Sequence, residues 1–203
     1  MLTCFQDDPL GQWAEDHLAQ TLAEILRLKG RGDHANHPLC LRCTENAADH
    51  RCMHCLSGGE LLCSGCILAG HRYLPFHRIE YWTGAMFERK TLMDMGHWHS
   101  VDRRCSLPIP SKGKEFIVVD IHGVHRVALD YCGCGMGGHP TVQLLRARLW
   151  PATSTNPQTA ATFAVLRQYQ LMSFESKCSG LEFYQSLARQ SDNVQYKRAK
   201  KNY

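Results

Sequence analysis

Between residues 40 and 77 the segment CLRCTENAADHRCMHCLSGGELLCSGCILAGHRYLPFH holds six of the chain's eleven cysteines and two histidines. Their spacing is Cys40-x2-Cys43-x8-Cys52-x2-Cys55-x7-Cys63-x2-Cys66-x4-His71-x5-His77. Two residues between thiols let one tight turn aim both sulfurs at a single ion. Zn2+ in structural sites takes four such ligands as a closed tetrahedron. Eight ligands in four pairs therefore predict two zinc ions. The spacing leaves the pairing open. Sequential pairing puts Cys40, Cys43, Cys52 and Cys55 on one ion. Interleaved pairing joins Cys40 and Cys43 to Cys63 and Cys66, and Cys52 and Cys55 to His71 and His77. So short a segment lacks a hydrophobic core of its own, and interleaving ties its distant parts together twice. Structural zinc binding of about 10–16 kcal/mol can exceed the whole stability of such a segment. Gly58-Gly59 can form a tight turn, with Leu61-Leu62 leading a strand into the third pair. His50 and His54 lie near enough to compete as ligands. With eight ligands already in place, both are expected to be polar residues at the surface.

A second cysteine feature is LDYCGCGMGGH, with Cys132 and Cys134 one residue apart. In an extended strand they share a face with Cα atoms about 7 Å apart. Two thiolates on one zinc need sulfurs within about 4 Å. The glycines at 133, 135, 137 and 138 permit the turn that closes this gap. Cys105 and His139 can complete such a site, raising the expected zinc count from two to three. The alternative is a pair of reduced structural thiols at a strand end.

The chain of 203 residues can bury a real core in one or two domains, and its 44% hydrophobic and 21% charged residues are ordinary for a globular protein. No apolar run is long enough to span a bilayer, so no membrane association is expected. The start, MLTCFQDDPLGQW, carries acids where a secretory signal has its apolar stretch. Without export, clustered Cys-x-x-Cys pairs read as metal ligands rather than disulfides. The net charge of +4 is uneven. Residues 1–39 carry three basic and six acidic side chains, residues 40–143 eleven and ten, and residues 144–203 nine and three. The tail YKRAKKNY supplies Lys197, Arg198, Lys200 and Lys201. Such a tail suits nucleic acid, an anionic membrane or an import factor, or is simply solvated.

Several elements must position these groups. Asp8-Pro9 reads as an N-cap with proline at the first helical position. Leu10, Ala14, Leu18, Leu22 and Leu26 recur every four residues, flanked by Trp13 and Ile25, up to a terminating Gly30. This amphipathic stripe is expected to face the core. RIEYW is a short strand, whereas residues 83–115 are poorly periodic. EFIVVDIHGVHRVALDYC predicts a hairpin turning at His122-Gly123. TVQLLRARLW reads as a further strand with Arg146 and Arg148 on one face. Asn156-Pro157 opens a helix carrying Ala161, Val165, Tyr169 and Met172. Ser179-x-x-Glu182 is a capping box for another.

The order Cys-Cys, Cys-Cys, Cys-Cys, His-His resembles a B-box zinc finger, a cross-braced two-zinc module, and that resemblance implies the interleaved pairing. The chain at large resembles the CxC-type cysteine-cluster domain of Kyakuja–Dileera–Zisupton (KDZ) transposases. The resemblance is carried by LRLKGRGD, LPFHRIEYW, FIVVDIHGVHRVALDYCGC, VQLLRARLWPAT, NPQTAATFAVLRQYQLMSFESK and LEFYQSLARQSDN. It runs from about Asp7 to Asn193. It implies zinc chelation and a part in DNA recognition, N-terminal to a catalytic domain. The sequence stops near the point where that domain is expected to begin.

The expectation is therefore an α+β chain. A helix fills residues 1–36 and a B-box-like two-zinc module residues 37–82. A cysteine-cluster domain with a hairpin and two C-terminal helices fills 83–193, and a basic tail 194–203. The expected role is non-catalytic DNA recognition in the nucleus, with contacts from Arg146, Arg148 and the four tail cations, and with no small-molecule substrate. Two alternatives remain: a protein–protein adaptor acting through the B-box-like module, and a transposon relic without function. Transposases cut DNA with three carboxylates on two metals. Asp120, Asp130 and Glu175 are the conceivable triad, but any hairpin ending in Asp would offer the same.

Overall fold

The computed structural model describes residues 8–56, 59–101, 105–111, 115–135 and 137–191. It is an α+β protein that divides into two compact units. The first runs to Ile67 and adds Ile79–Lys90; the second takes Leu68–Arg78 and the chain from Thr91. No described helix is long and apolar enough to cross a membrane.

The first unit opens with α1 (Pro9–Asp16) and α2 (Leu18–Lys29). The Asp8 cap forms, its carboxylate accepting from Gly11 N at 3.0 Å, and Gly30 ends α2. The single helix expected here is divided in two. The helix breaks at His17 (φ −126°), and its stripe is not core: no residue of α1 or α2 is buried, and Leu10 stands 79% exposed. Four-residue periodicity places the apolar side chains on one face, but it does not supply a partner for that face.

A three-stranded antiparallel sheet follows, ordered β1 (His50–Cys52), β2 (Ile79–Trp82), β3 (Phe87–Lys90). The strand expected at RIEYW is β2; β3 lies in the stretch that showed no period. Arg51 joins the parts of this unit. It pairs with Glu80 at 2.8 Å, lies 3.6 Å over the Phe87 ring and donates to the Leu28 carbonyl. The buried interior is small: Ala48, Leu61, Leu62, Ile67 and Ile79 share it with Cys40, Cys52 and Cys63. His50 is buried here and not at the surface as expected. Its Nδ1 lies 2.6 Å from Asp49, and its backbone bridges Leu62.

The second unit is built on a six-stranded mixed sheet. Its strands are β4 (Trp98–Ser100), β5 (Pro108–Pro110), β6 (Phe116–Asp120), β7 (Gly123–Cys132), β8 (Leu149–Pro151) and β9 (Thr159–Thr162). Their order is β4-β7-β6-β9-β8, with β5 also paired to β7. The expected hairpin is β6–β7, with Asp120 opposite Gly123. At Gly123 (φ +122°) a Cβ would run into Arg78 and Ser191, so no other residue fits. Strands β4 and β5 were invisible to periodicity because each spans three residues. The prolines of β5 are tolerated at a sheet edge, where no ladder donor is lost.

Strand β6 alternates cleanly, sending Phe116, Val118 and Asp120 inward. Phe116 and Val118 meet Val127, Leu129, Tyr131, Leu144, Leu149 and Ala160 in the main core. Burial alone would raise the Asp120 pKa. Hydrogen bonds from Thr162 (2.8 Å) and His122 (2.8 Å) outweigh it and hold the carboxyl below its usual range.

TVQLLRARLW is not one strand: Pro140–Arg146 form α4, capped by His139, and only Leu149–Pro151 extend as β8. Pro140 at the first helical position starts the helix, and Leu144 turned into the core holds it there. Asn156-Pro157 does not open a helix. It precedes β9, and α5 (Phe163–Ser176) begins behind a Thr162 cap accepting from Val165 N. Helix α6 (Gly180–Ser191) starts with the expected capping box: Ser179 N donates to Glu182 (3.0 Å) and Glu182 N to the Ser179 hydroxyl (3.3 Å). Ser191 then ties α6 to the hairpin through Val124 N, at 2.7 Å.

Candidate metal centres

In the first unit Cys40, Cys43, Cys63 and Cys66 converge, with all four sulfurs within 4.8 Å of one another. The Cys43 and Cys63 sulfurs are 3.7 Å apart. Zn–S bonds near 2.3 Å in a tetrahedron require an S···S separation of about 3.8 Å. Local structure builds each half. Cys40 and Cys43 flank a turn closed by Thr44 N on the Cys40 carbonyl (2.8 Å), with Thr44 at φ +58°. Cys63 precedes α3 (Ser64–Gly70), and its sulfur accepts from Cys66 N at 3.4 Å.

The electrostatics also fit a cation. Backbone N–H groups of Glu45 and Asn46 draw the Cys43 thiol down to about 6 and so favour its thiolate. Cys66, hydrogen-bonded to Cys63, is pushed up to about 12. Negative charge on both sulfurs is resisted unless a cation lies between them, and a divalent ion reverses that cost. The donor set therefore fits zinc.

Cys52 and Cys55 also belong to the first unit. Cys55 N and His54 N both donate to the Cys52 sulfur at 3.4 Å. His71 and His77 belong to the second unit. They sit edge to face with ring centroids 5.3 Å apart, on a loop held by Leu74 N on His71 O and His77 N on Leu74 O. Burial, then the neighbouring His71 and His122 rings, lowers the His77 pKa and favours the neutral ring that ligates metals.

In the second unit Cys105, Cys132 and Cys134 form another group, again with sulfurs within 4.8 Å of one another. The Cys132 and Cys134 sulfurs are 2.9 Å apart. The chain turns at Cys134 as the glycines allow. At Gly137 a Cβ would press on Cys132 and Gln143 at 2.8 Å. Cys134, then Cys105, pushes Cys132 up to about 11, whereas its hydrogen bond draws Cys105 down to about 7. Three crowded thiols of this kind suit a thiophilic cation. His139 is not in the group. Its ring lies 3.0 Å from Thr141 Oγ1 and caps α4.

Sequence reasoning missed Gln143, which is buried beneath this cluster. Its Oε1 accepts from Cys132 N at 2.7 Å, and its Nε2 donates to the carbonyls of Gly138 (2.9 Å) and Cys132 (3.2 Å). Nothing in a lone glutamine of an amphipathic stretch signals that role. Gln143→Leu should leave these backbone groups unpaired, each at about 1–3 kcal/mol. A denaturant melt should show that loss, and any metal at Cys105, Cys132 and Cys134 should pass faster to a chelator. Wild-type stability in this variant would show that Gln143 is not the anchor.

Arg146 and Arg148, expected to touch nucleic acid from one strand face, do not lie on a strand. Arg146 lies in the last turn of α4 and donates to the Gly137 carbonyl at 3.2 Å. Arg148 follows the helix with φ +60°, so no strand face joins the two. Lys197, Arg198, Lys200 and Lys201 lie outside the described residues. Asp120, Asp130 and Glu175 do not form a metal-binding group. Asp120 is committed to Thr162 and His122, and Glu175 is exposed on α5.

No curated protein and no solved structure matches the chain. Residues 90–195, just over half of the chain, match the model of the CxC2 like cysteine cluster associated with KDZ transposases, and the chain belongs to that family.

Proposed function

We propose that this chain is a non-catalytic, zinc-stabilised DNA-recognition module of a KDZ-type transposase, acting in the nucleus. The convergence of Cys40, Cys43, Cys63 and Cys66 is the observation that carries the zinc reading. For Cys52, Cys55, His71 and His77 the reading rests on the B-box resemblance, which implies that they share a second zinc. Cys105, Cys132 and Cys134 hold a third. The two four-ligand sites are structural, because four thiolate or neutral imidazole ligands saturate the ion, whereas the three thiols of the third leave one position open. The DNA reading is supported by family membership and by the surplus of six positive charges in residues 144–203. Phosphate contacts need only such charges, at any sequence.

The test is a salt titration of duplex binding by the zinc-loaded chain. The log–log slope should be near −0.9 per phosphate neutralised. Alanine at Lys197, Arg198, Lys200 and Lys201 should flatten it by about one unit for each phosphate no longer neutralised. A folded, metal-loaded chain with no duplex binding at low salt removes this reading. The protein-adaptor reading would then stand first, because the exposed leucines of α1 and α2 offer a partner an apolar face.

A further inference from the structure

The second unit carries an open cleft of about 470 Å3, lined among others by Tyr73, Phe76, His99, Ser100, Arg148 and Thr162. That volume lies in the range of about 300–1,000 Å3 usual for small-ligand pockets. Its lining combines aromatic rings, hydroxyls, an imidazole and a guanidinium, and includes no carboxylate. Tyr73 is 60% exposed beside the cleft, whereas Phe76 packs against the main core and steadies the wall. Tyr73 and Phe76 lie on the short loop between His71 and His77, whose backbone is closed by successive turns. This aromatic wall is therefore ordered rather than a floppy strand of chain.

Arg148 lies on the same cleft. It occupies the position just after the C-cap of α4, its N–H on the Leu145 carbonyl at 3.0 Å, in the left-handed conformation that glycine fills at least cost. A bulky residue there is strained, and such strain is retained where the side chain is needed. Arg148 is exposed, and among the described residues it forms no ion pair. An exposed π-face and an exposed guanidinium on one cleft match one ligand chemistry: a base attached to a phosphate.

We propose that this cleft takes a single unpaired nucleotide of DNA, its base stacked on Tyr73 and its phosphate on Arg148. This rests on the DNA-recognition reading and deepens it. The tail cations would grip duplex phosphates, and the cleft would favour sites where one base is out of the stack. Base–aromatic stacking is sequence-tolerant because every base has a π-face.

The experiment compares fluorescence anisotropy of the full zinc-loaded chain on a blunt duplex and on the same duplex with one central bulged nucleotide. The bulged form should bind about tenfold tighter. Tyr73→Ala and Arg148→Gly should each bring the ratio of bulged to blunt affinity to about one, whatever Arg148→Gly removes from the affinity for both duplexes alike. Arg148→Gly relieves the left-handed strain and should melt no lower than wild type, so it stays folded even if Tyr73→Ala does not. Equal affinity for both duplexes, or a preference kept in Arg148→Gly, overturns the cleft proposal and leaves duplex recognition standing. Absence of binding to either DNA overturns both. Deoxyadenosine monophosphate should displace the bulged duplex only at millimolar concentration. Micromolar binding of the free nucleotide would overturn DNA as its source.

Discussion

Replacing Cys63 with serine should release one zinc from the protein and unfold the strands and turns around it. Cys63 is buried, its sulfur lies 3.7 Å from that of Cys43, and it accepts the Cys66 N–H. A serine hydroxyl stays protonated at neutral pH and cannot replace a thiolate ligand. The buried apolar side chains of this unit are few, so its own core cannot make up the loss. Structural zinc contributes about 10–16 kcal/mol, comparable to the whole stability of about 5–15 kcal/mol of a domain. Elemental analysis should fall by one zinc per chain, and amide exchange of β1–β3 should become fast. Full metal content with unchanged protection would show that these four cysteines do not share an ion.

The second large effect belongs to the main core. Phe116→Ala should destabilise the protein by about 3–5 kcal/mol, the usual cost of emptying a phenylalanine site. Phe116 is 1% exposed and packs among Val118, Leu129, Leu144 and Leu149, drawn from two strands, a helix and an edge strand that cannot all collapse into the space left behind. Phe174 is the control. It is 70% exposed on α5, and its replacement by alanine should stay within about 0.5 kcal/mol. Urea melts of the two variants measure the contrast. Equal losses would mean that the core does not centre on Phe116.

Much of this protein is legible in its sequence, wherever the signal is local. Cys-x-x-Cys spacing marks candidate ligand pairs because a single turn suffices to aim both thiols. The hairpin is announced by alternation around His122-Gly123, and the α6 cap by Ser179 and Glu182, because each depends on residues within a few positions. Asp8 and Gly30 mark helix ends for the same reason.

Pairing, burial and element type at ambiguous segments needed the tertiary structure. Spacing could not say whether Cys40 and Cys43 meet Cys52 or Cys63; the backbone path between the pairs decided for Cys63 and Cys66. The α1–α2 stripe has the period of a core helix yet stays exposed, because amphipathicity describes one surface and burial requires two. VQLLRARLW satisfies both an alternating and a helical pattern. Pro140 at a helix start and Leu144 in the core chose the helix, moving Arg146 and Arg148 off a common face. Gln143 under Cys132, Thr162 on Asp120 and the Tyr73–Arg148 cleft join residues 11, 42 and 75 positions apart. Such contacts leave no period in the chain, since they exist only once the sheet has brought its strands together.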